Sequence, residues 1–283
     1  MARGICRIVR DRIDSAIKQL DEPGSDGESV HGVRKDLKKI RAVPRLIRDR
    51  LGKRVYQQEN GRFRQIARAL STQRDAEVLL KTVDEFKATH REKSMKVALE
   101  KVQKEVRKRY EENSHHGLKW KTNLEKNLKT ARRRTGEWPL QGIKPADLCC
   151  GIKKSCEKGQ EGLHAAELVR SKENLHDWRK RVKDLWYQLR LLEPLWSKKL
   201  ERIASQLEKL SEKLGEDHDL VMLEEAAQSA HLNEAELKLL SGAIAIRRKH
   251  LQEAAFRLGR KLYAEKPGVL ARRIKHSWEQ WHR

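Results

Sequence analysis

The chain of 283 residues has few aromatic side chains (5 %), six prolines, four cysteines and no long apolar run. Each shortage excludes something. No segment approaches the roughly 18 apolar residues that a membrane-crossing helix needs, and the N-terminal stretch MARGICRIVRDR is broken by charge before a signal-peptide core could form. A soluble, cytoplasmic protein without a membrane partner is expected. Four cysteines are too few for a disulfide framework in a chain of this size, and the neighbours Cys149 and Cys150 could hardly staple separate segments. Cys149, Cys150, Cys156 and His164 lack the paired C-x2-C spacing of structural zinc sites, so no metal and no other cofactor is expected.

What remains is rich in Glu, Lys, Leu, Arg and Ala. Apolar and charged residues each make up 37 % of the chain, so its elements must be strongly two-faced. With proline scarce and β-branched runs absent, this composition predicts an all-α protein of long amphipathic helices. Acidic residues are outnumbered 64 to 41 by Lys plus Arg, and the net charge of +23 selects an anionic partner.

The chain repeats itself once. HGVRKDLKKIRAVPRLIR, from His31, aligns with HDWRKRVKDLWYQLRLLE, from His176. His31, Arg34, Lys35, Lys38, Arg45 and Leu46 meet His176, Arg179, Lys180, Lys183, Arg190 and Leu191 at a constant offset of 145. A second pair follows in the same order: LSTQRDAEVLL from Leu70 and LGEDHDLVMLE from Leu214. Two ordered matches point to a duplication, with halves near 1–113 and 114–283. Breaks are expected at 22–29, 59–61, 113–117 and 135–145, leaving about four helices in each half. Short connections between long helices favour antiparallel bundles.

At 100° per residue, His31, Arg34, Lys35, Lys38 and Arg45 share about a third of the first motif helix, and Val33, Leu37, Ile40, Pro44, Ile47 and Leu51 an adjoining face. In the second copy Trp178, Val182, Leu185 and Leu189 form the apolar stripe. Residues 31–54 carry ten Lys or Arg against only Asp36 and Asp49, so local i,i+4 partners cannot neutralise them. The stripe from His31 to Arg45 runs roughly 20 Å, a length suited to an extended chain of phosphates. Arg offers bidentate contacts to phosphate oxygens, Lys a mobile point charge, and His a proton. Ser29 is the expected N-cap of the first motif helix, and Ser171 or Asn174 that of the second. Asp75 and Asp219 read as N-caps of the helices that follow them, with Arg74 and His218 beside them as further basic candidates. Weaker cationic stripes comprise Arg247, His250, Arg257 and Lys261, and Lys101, Lys104 and Lys108.

These residues carry a family resemblance: a duplicated His-x-x-Arg-Lys followed by Lys at helical spacing and a distal Arg, then a Leu-x-x-x-(Arg/His)-Asp element. The sequence resembles the CHAD family, the conserved histidine α-helical domains, from about residue 5 to the C-terminus. The resemblance implies two four-helix bundles related by a pseudo-twofold axis, with a basic cleft between them. It also implies non-catalytic binding of inorganic polyphosphate, association with polyphosphate granules, and a partnership with a triphosphate-processing enzyme. Carried over position by position, the ligand-binding residues are His31, Arg34, Lys35, Lys38, Arg45, His176, Arg179, Lys180, Lys183 and Arg190. Arg41, Arg74, His218, Arg247 and His250 complete the candidate set. Within the first copy Pro44 is expected to kink the helix, and Trp186 and Tyr187 replace Arg41 and Ala42 in the second.

Nucleic acid is the competing ligand, given a pI near 10. Aromatic side chains are not interleaved with the first basic motif as stacking platforms would be, so only weak, salt-sensitive binding to it is expected. An enzyme is not expected: His176 and Asp177 diverge by 100° on a helix, and no carboxylate cluster or positioned base accompanies the motif.

Overall fold

The computed structural model describes residues 1–21, 26–113, 119–195 and 197–281, excepting the side chains of 26–28, 71–74, 112, 113 and 119. The first five helices are α1 (Ala2–Asp21), α2 (Asp26–Leu46), α3 (Arg48–Arg68), α4 (Ser71–Thr89) and α5 (Lys93–Asn113). Six more follow: α6 (Lys119–Thr135), α7 (Pro145–Leu168), α8 (Lys172–Leu191), α9 (Lys198–Ser229), α10 (Glu234–Leu262) and α11 (Pro267–Trp281). A short 3-10 turn, Glu193–Leu195, precedes α9, and the described residues contain no strand. The fold is all-helical, as the composition demands.

The helices form where apolar residues recur at spacings of three and four. In α1 that stripe is Ile5, Val9, Ile13, Ala16 and Leu20, all buried. In α8 it is Leu175, Trp178, Val182, Leu185 and Leu189. Ser171 caps α8, its hydroxyl accepting a hydrogen bond from the Asn174 backbone N–H at 3.1 Å. The expected break at 135–145 coincides with the α6–α7 connection; of that at 22–29, residues 26–29 belong to α2 and the rest lies outside the described residues, as does 114–117 of the break expected at 113–117.

Three local expectations are corrected. Ser29 does not cap α2, which starts at Asp26 and buries Ser29 in its first turns. There is no break at Glu59–Gly61. α3 runs through it, because Glu59 is buried and held by Arg62 and Arg134, the latter at 3.2 Å. The interruption falls instead at Gly52, whose φ of 75° and ψ of 157° lie where only glycine sits without strain. Asp75 and Asp219 cap nothing: Asp75 lies within α4, and α9 is continuous through Asp219. Pro44, expected to kink α2, falls in its last turn, and Ile47 N–H closes that turn onto the Val43 carbonyl at 3.1 Å.

The packing follows a repeated plan. α1 lies against α2 and α7 against α8; α4 lies against α5 and α9 against α10; α6 returns to α1 and α11 returns to α7. α2 and α8, the two motif helices, pack on each other. α6 lies beyond the expected boundary at 113, yet its apolar face, Leu124, Leu128 and Ala131, joins the core that α1 builds. The apolar interior forms two clusters. The larger joins α1, α2, α3, α6, α7, α8 and α11 with the first part of α9 and the last part of α10, and centres on Trp178, which is fully buried and stacked on Phe256 of α10 at 5.4 Å. The smaller holds Val83 and Phe86 of α4, Met95 to Val106 of α5, Leu220 to Ala227 of α9, and Leu240 to Leu251 of α10. Each cluster draws on helices from both sides of residue 113.

Candidate functional site: a basic seam between the motif helices

The contact between α2 and α8 brings the cations of both repeats together. Their apolar stripes, Val33, Leu37 and Ile40 on one and Trp178, Val182 and Leu185 on the other, are drawn into the shared core. The adjoining cationic stripes are thereby carried to the rim of that contact. Lys183 of α8 is half-buried there beside Arg179 of its own helix and Lys38 and Arg34 of α2. The compensating charge at this point is Asp219 of α9. Burial, reinforced by the three neighbouring cations, pulls the Lys183 ammonium down to about 7.

The second repeated element lies beside both motif arginines. Arg34 donates from Nη1 to the Leu70 carbonyl at 2.8 Å and faces Asp75 at 3.7 Å. Arg179, its counterpart, feels the charge of Asp219 and lies against Gly215, where an added Cβ would stand 3.5 Å from its Nη2. Leu70 and Asp75 correspond in the repeat to Leu214 and Asp219. The aspartates misread as helix caps thus lie beside the arginines of the seam, Asp75 3.7 Å from Arg34 and Asp219 near enough for its charge to act on Arg179. Burial lowers the Arg179 pKa, and its Nε has no hydrogen-bond partner among the described residues.

His218, placed on α9 by the second element, lies against His176 of α8 with ring centroids 4.4 Å apart and the rings tilted by 35°. Burial, then Arg179 and His176, pushes His218 down to about 4. His176 is lowered for the same first reason, and its Nδ1 is buried without a hydrogen-bond partner among the described residues. Lys180 stands exposed at the same rim, bonded to Asp177 at 2.8 Å. Tyr187, one turn beyond Lys183, is held neutral by burial, its pKa raised to about 12. The seam therefore gathers Arg34, Lys38, His176, Arg179, Lys180, Lys183 and His218. Its cations crowd one another, and burial favours the neutral form of both histidines.

Further along the pair a second group forms. Arg45 is ion-paired with Asp184 of α8. Arg41 is lowered to about 10 by burial and then by Arg45. Burial raises the Asp184 carboxyl, against the pull of Arg45, Arg181, Arg41 and Lys158. Beside them a cavity of ≈ 350 Å³ is lined by Arg45, Arg48, Lys154, Lys158, Arg181 and Asp184, among others. The charges of Asp184, Lys158 and Arg181 were not singled out by the repeat, because Asp184 faces Lys39 in the alignment and Lys158 lies outside it.

Other candidates are placed apart. His31 and Lys35 are exposed near the start of the α2 stripe, and Arg190 is exposed at the end of α8, 3.6 Å from Glu193. The side chain of Arg74 lies outside the described residues. Arg247 and His250 line a cavity of ≈ 410 Å³ among α4, α9 and α10, where Arg247 pairs with Glu216 at 3.1 Å. That cavity reaches the seam through Asp219, which lines it. Arg257 and Lys261 are exposed on α10; Lys104 and Lys108 are exposed on α5, and Lys101 there binds Glu236 at 2.7 Å. The cysteines are free thiols, and no group of three His, Cys, Asp or Glu side chains is placed to hold a metal among the described residues.

Comparison with known proteins agrees with this architecture. Residues 7–228 match the CHAD domain family. The fold is similar to the crystal structure of the CHAD domain from the plant Ricinus communis, at a TM-score of 0.65 and 18 % identity, covering 93 % of this chain and 91 % of that one. It is also similar to PptA from Streptomyces chartreusis, at a TM-score of 0.58 and 11 % identity, covering 94 % and 99 %. No curated protein matches the sequence. The all-helical architecture and the match over most of its length establish that the chain belongs to the CHAD family.

Proposed function

We propose that this protein binds inorganic polyphosphate, without catalysing its turnover, along the seam between α2 and α8. Polyphosphate binding is a general property of the CHAD family. The observation that carries the reading to particular residues is Lys183, half-buried on α8 and crowded by the charges of Arg179, Arg34 and the exposed Lys38, with Asp219 opposing them. Four cations from two repeats converge there. In a ligand-free protein such crowding is unfavourable, and a linear polyanion relieves it at successive phosphates. The orphaned Nδ1 of His176 and Nε of Arg179 are polar atoms whose partner a bound phosphate oxygen could become. The reading includes a pseudo-twofold relation, in which α1 to α6 correspond to α7 to α11, with α3 and α4 together matching the single helix α9. It extends to a granule-associated role and to service beside a triphosphate-processing enzyme.

The test is a length-resolved binding assay. Long polyphosphate should bind far more tightly than orthophosphate, because each added phosphate meets a cation already held in place. Arg34→Glu combined with Arg179→Glu should weaken binding at least 100-fold while the circular dichroism spectrum stays helical, since each charge reversal removes a charge-assisted bond of about 1.5–3 kcal/mol and adds repulsion. Equal affinity for single-stranded DNA of matched phosphate count would remove the preference for polyphosphate.

A further inference from the structure

A third cavity, of ≈ 530 Å³, opens between α3 and α6 and is walled in part by Leu70, whose carbonyl accepts from Arg34 of the seam. Its lining differs in kind from the seam. α6 contributes Trp120, Asn123, Asn127 and Arg134 along one stripe, at spacings of three, four and seven; α3 contributes Arg62 and Gln65. Leu70 and Leu124, both buried, form apolar wall.

We propose that this cavity binds base-bearing phosphate chains, with the base on Trp120 and the phosphates at Arg62 and Arg134. The two guanidiniums share one carboxylate, that of Glu59, which is 3 % exposed. Two cations against one anion leave a net positive charge at that end. Glu59 also fixes the guanidiniums, so phosphate would meet donors already in place. The amides of Gln65, Asn123 and Asn127 make no side-chain hydrogen bond among the described residues, and all three residues are exposed. Such groups donate and accept at once, which suits the edge of a nucleobase and is superfluous for bare phosphate. Trp120 is half-buried against the core, with the Lys121 ammonium 5.8 Å over its ring, and the part of the ring that lines the cavity is the surface on which a base would stack, a contact that is sequence-tolerant because every base has a π-face. Trp120 and Arg134 are fourteen residues apart on α6, about 20 Å along the axis. The ligand must therefore be extended: a nucleoside polyphosphate, or two to three nucleotides of a single strand, which share this chemistry.

The experiment measures binding of ATP, a short oligoadenylate and inorganic tripolyphosphate to full-length Arg34→Glu/Arg179→Glu protein, in which the seam is disabled. ATP or the oligoadenylate, whichever source fits the groove, should bind at least roughly tenfold more tightly than tripolyphosphate, by the usual worth of one base–aromatic stack. Trp120→Ala should erase that advantage and leave long-chain polyphosphate binding to the otherwise unchanged protein intact. Should Trp120→Ala disturb the fold, Asn123→Leu with Asn127→Leu, at exposed positions, provides the second reading and should erase the same advantage. Equal affinity for ATP, oligoadenylate and tripolyphosphate, or no response to either variant, would overturn the proposal. The comparison isolates the base, so it stands even if charge reversal leaves the seam able to bind phosphate.

Discussion

The charge state of single side chains decides how the seam behaves. Lys183 is the clearest case, since burial and three cationic neighbours bring its ammonium to about 7. Without ligand it is a source of instability, and with ligand a source of affinity. Lys183→Met should therefore raise the melting temperature of the free protein and lower polyphosphate affinity by about 1.5–3 kcal/mol, the usual worth of a charge-assisted contact. Thermal melts and titration calorimetry on the same variant check both halves. The histidine pair adds a pH dependence. His218, with an unfolded value near 6.5 and a folded value of about 4, stays neutral while the unfolded chain takes up a proton. Stability of the free protein should accordingly fall as the pH drops from about 6.5 towards 4, with no contribution from this group above that window. A bound polyanion favours the protonated ring, so affinity should rise over the same descent. His218→Gln should flatten both curves; unchanged slopes would take His218 out of the seam.

At the scale of elements, the close contacts between helices set tolerances. Gly151 of α7 approaches α2 so closely that an added Cβ would stand 1.8 Å from the Leu46 carbonyl oxygen. Backbone has to move to accept it. Gly151→Ala should cost about 1–3 kcal/mol in denaturant unfolding, as overpacking does, and should loosen the cavity that Gly151 lines beside Arg45. Much at this scale was legible in the sequence. The apolar periods gave the helices, and composition gave the break at 135–145, while that at 59–61 is absent. The latter failed because Asn60-Gly61 reads locally as a turn, whereas the buried Glu59 and its two arginines keep the helix intact. The repeat singled out residues that the fold brings near one another, including those of the second element, but not how they pair. Asp75 looked like a cap because an aspartate before an apolar run often is one. Its contact with Arg34 spans 41 positions of chain, and no local pattern encodes a pairing so distant.

Over the whole molecule, net charge announced an anionic partner, and the fold localises part of that charge. Arg34, Lys38, Arg179, Lys180 and Lys183 are the cations collected by the seam. If each displaces a counterion from the ligand, the logarithm of affinity should fall with the logarithm of salt concentration at a slope of about −3 to −4, by analogy with single strands. A slope beyond about −7 would mean that much of the remaining surface charge also engages the ligand. Salt-resolved calorimetry with one polyphosphate length provides the number.

The sharing of both apolar clusters across the chain bears on how such a protein could be divided. A fragment ending after α6 would expose the faces of α4 and α5 that α9 and α10 now cover, and would leave α2 without α8. Neither piece would be self-sufficient. Two separate pieces would have to associate to bury those surfaces, so the meeting of α2 and α8 would become a matter of concentration, where the single chain makes it a matter of folding.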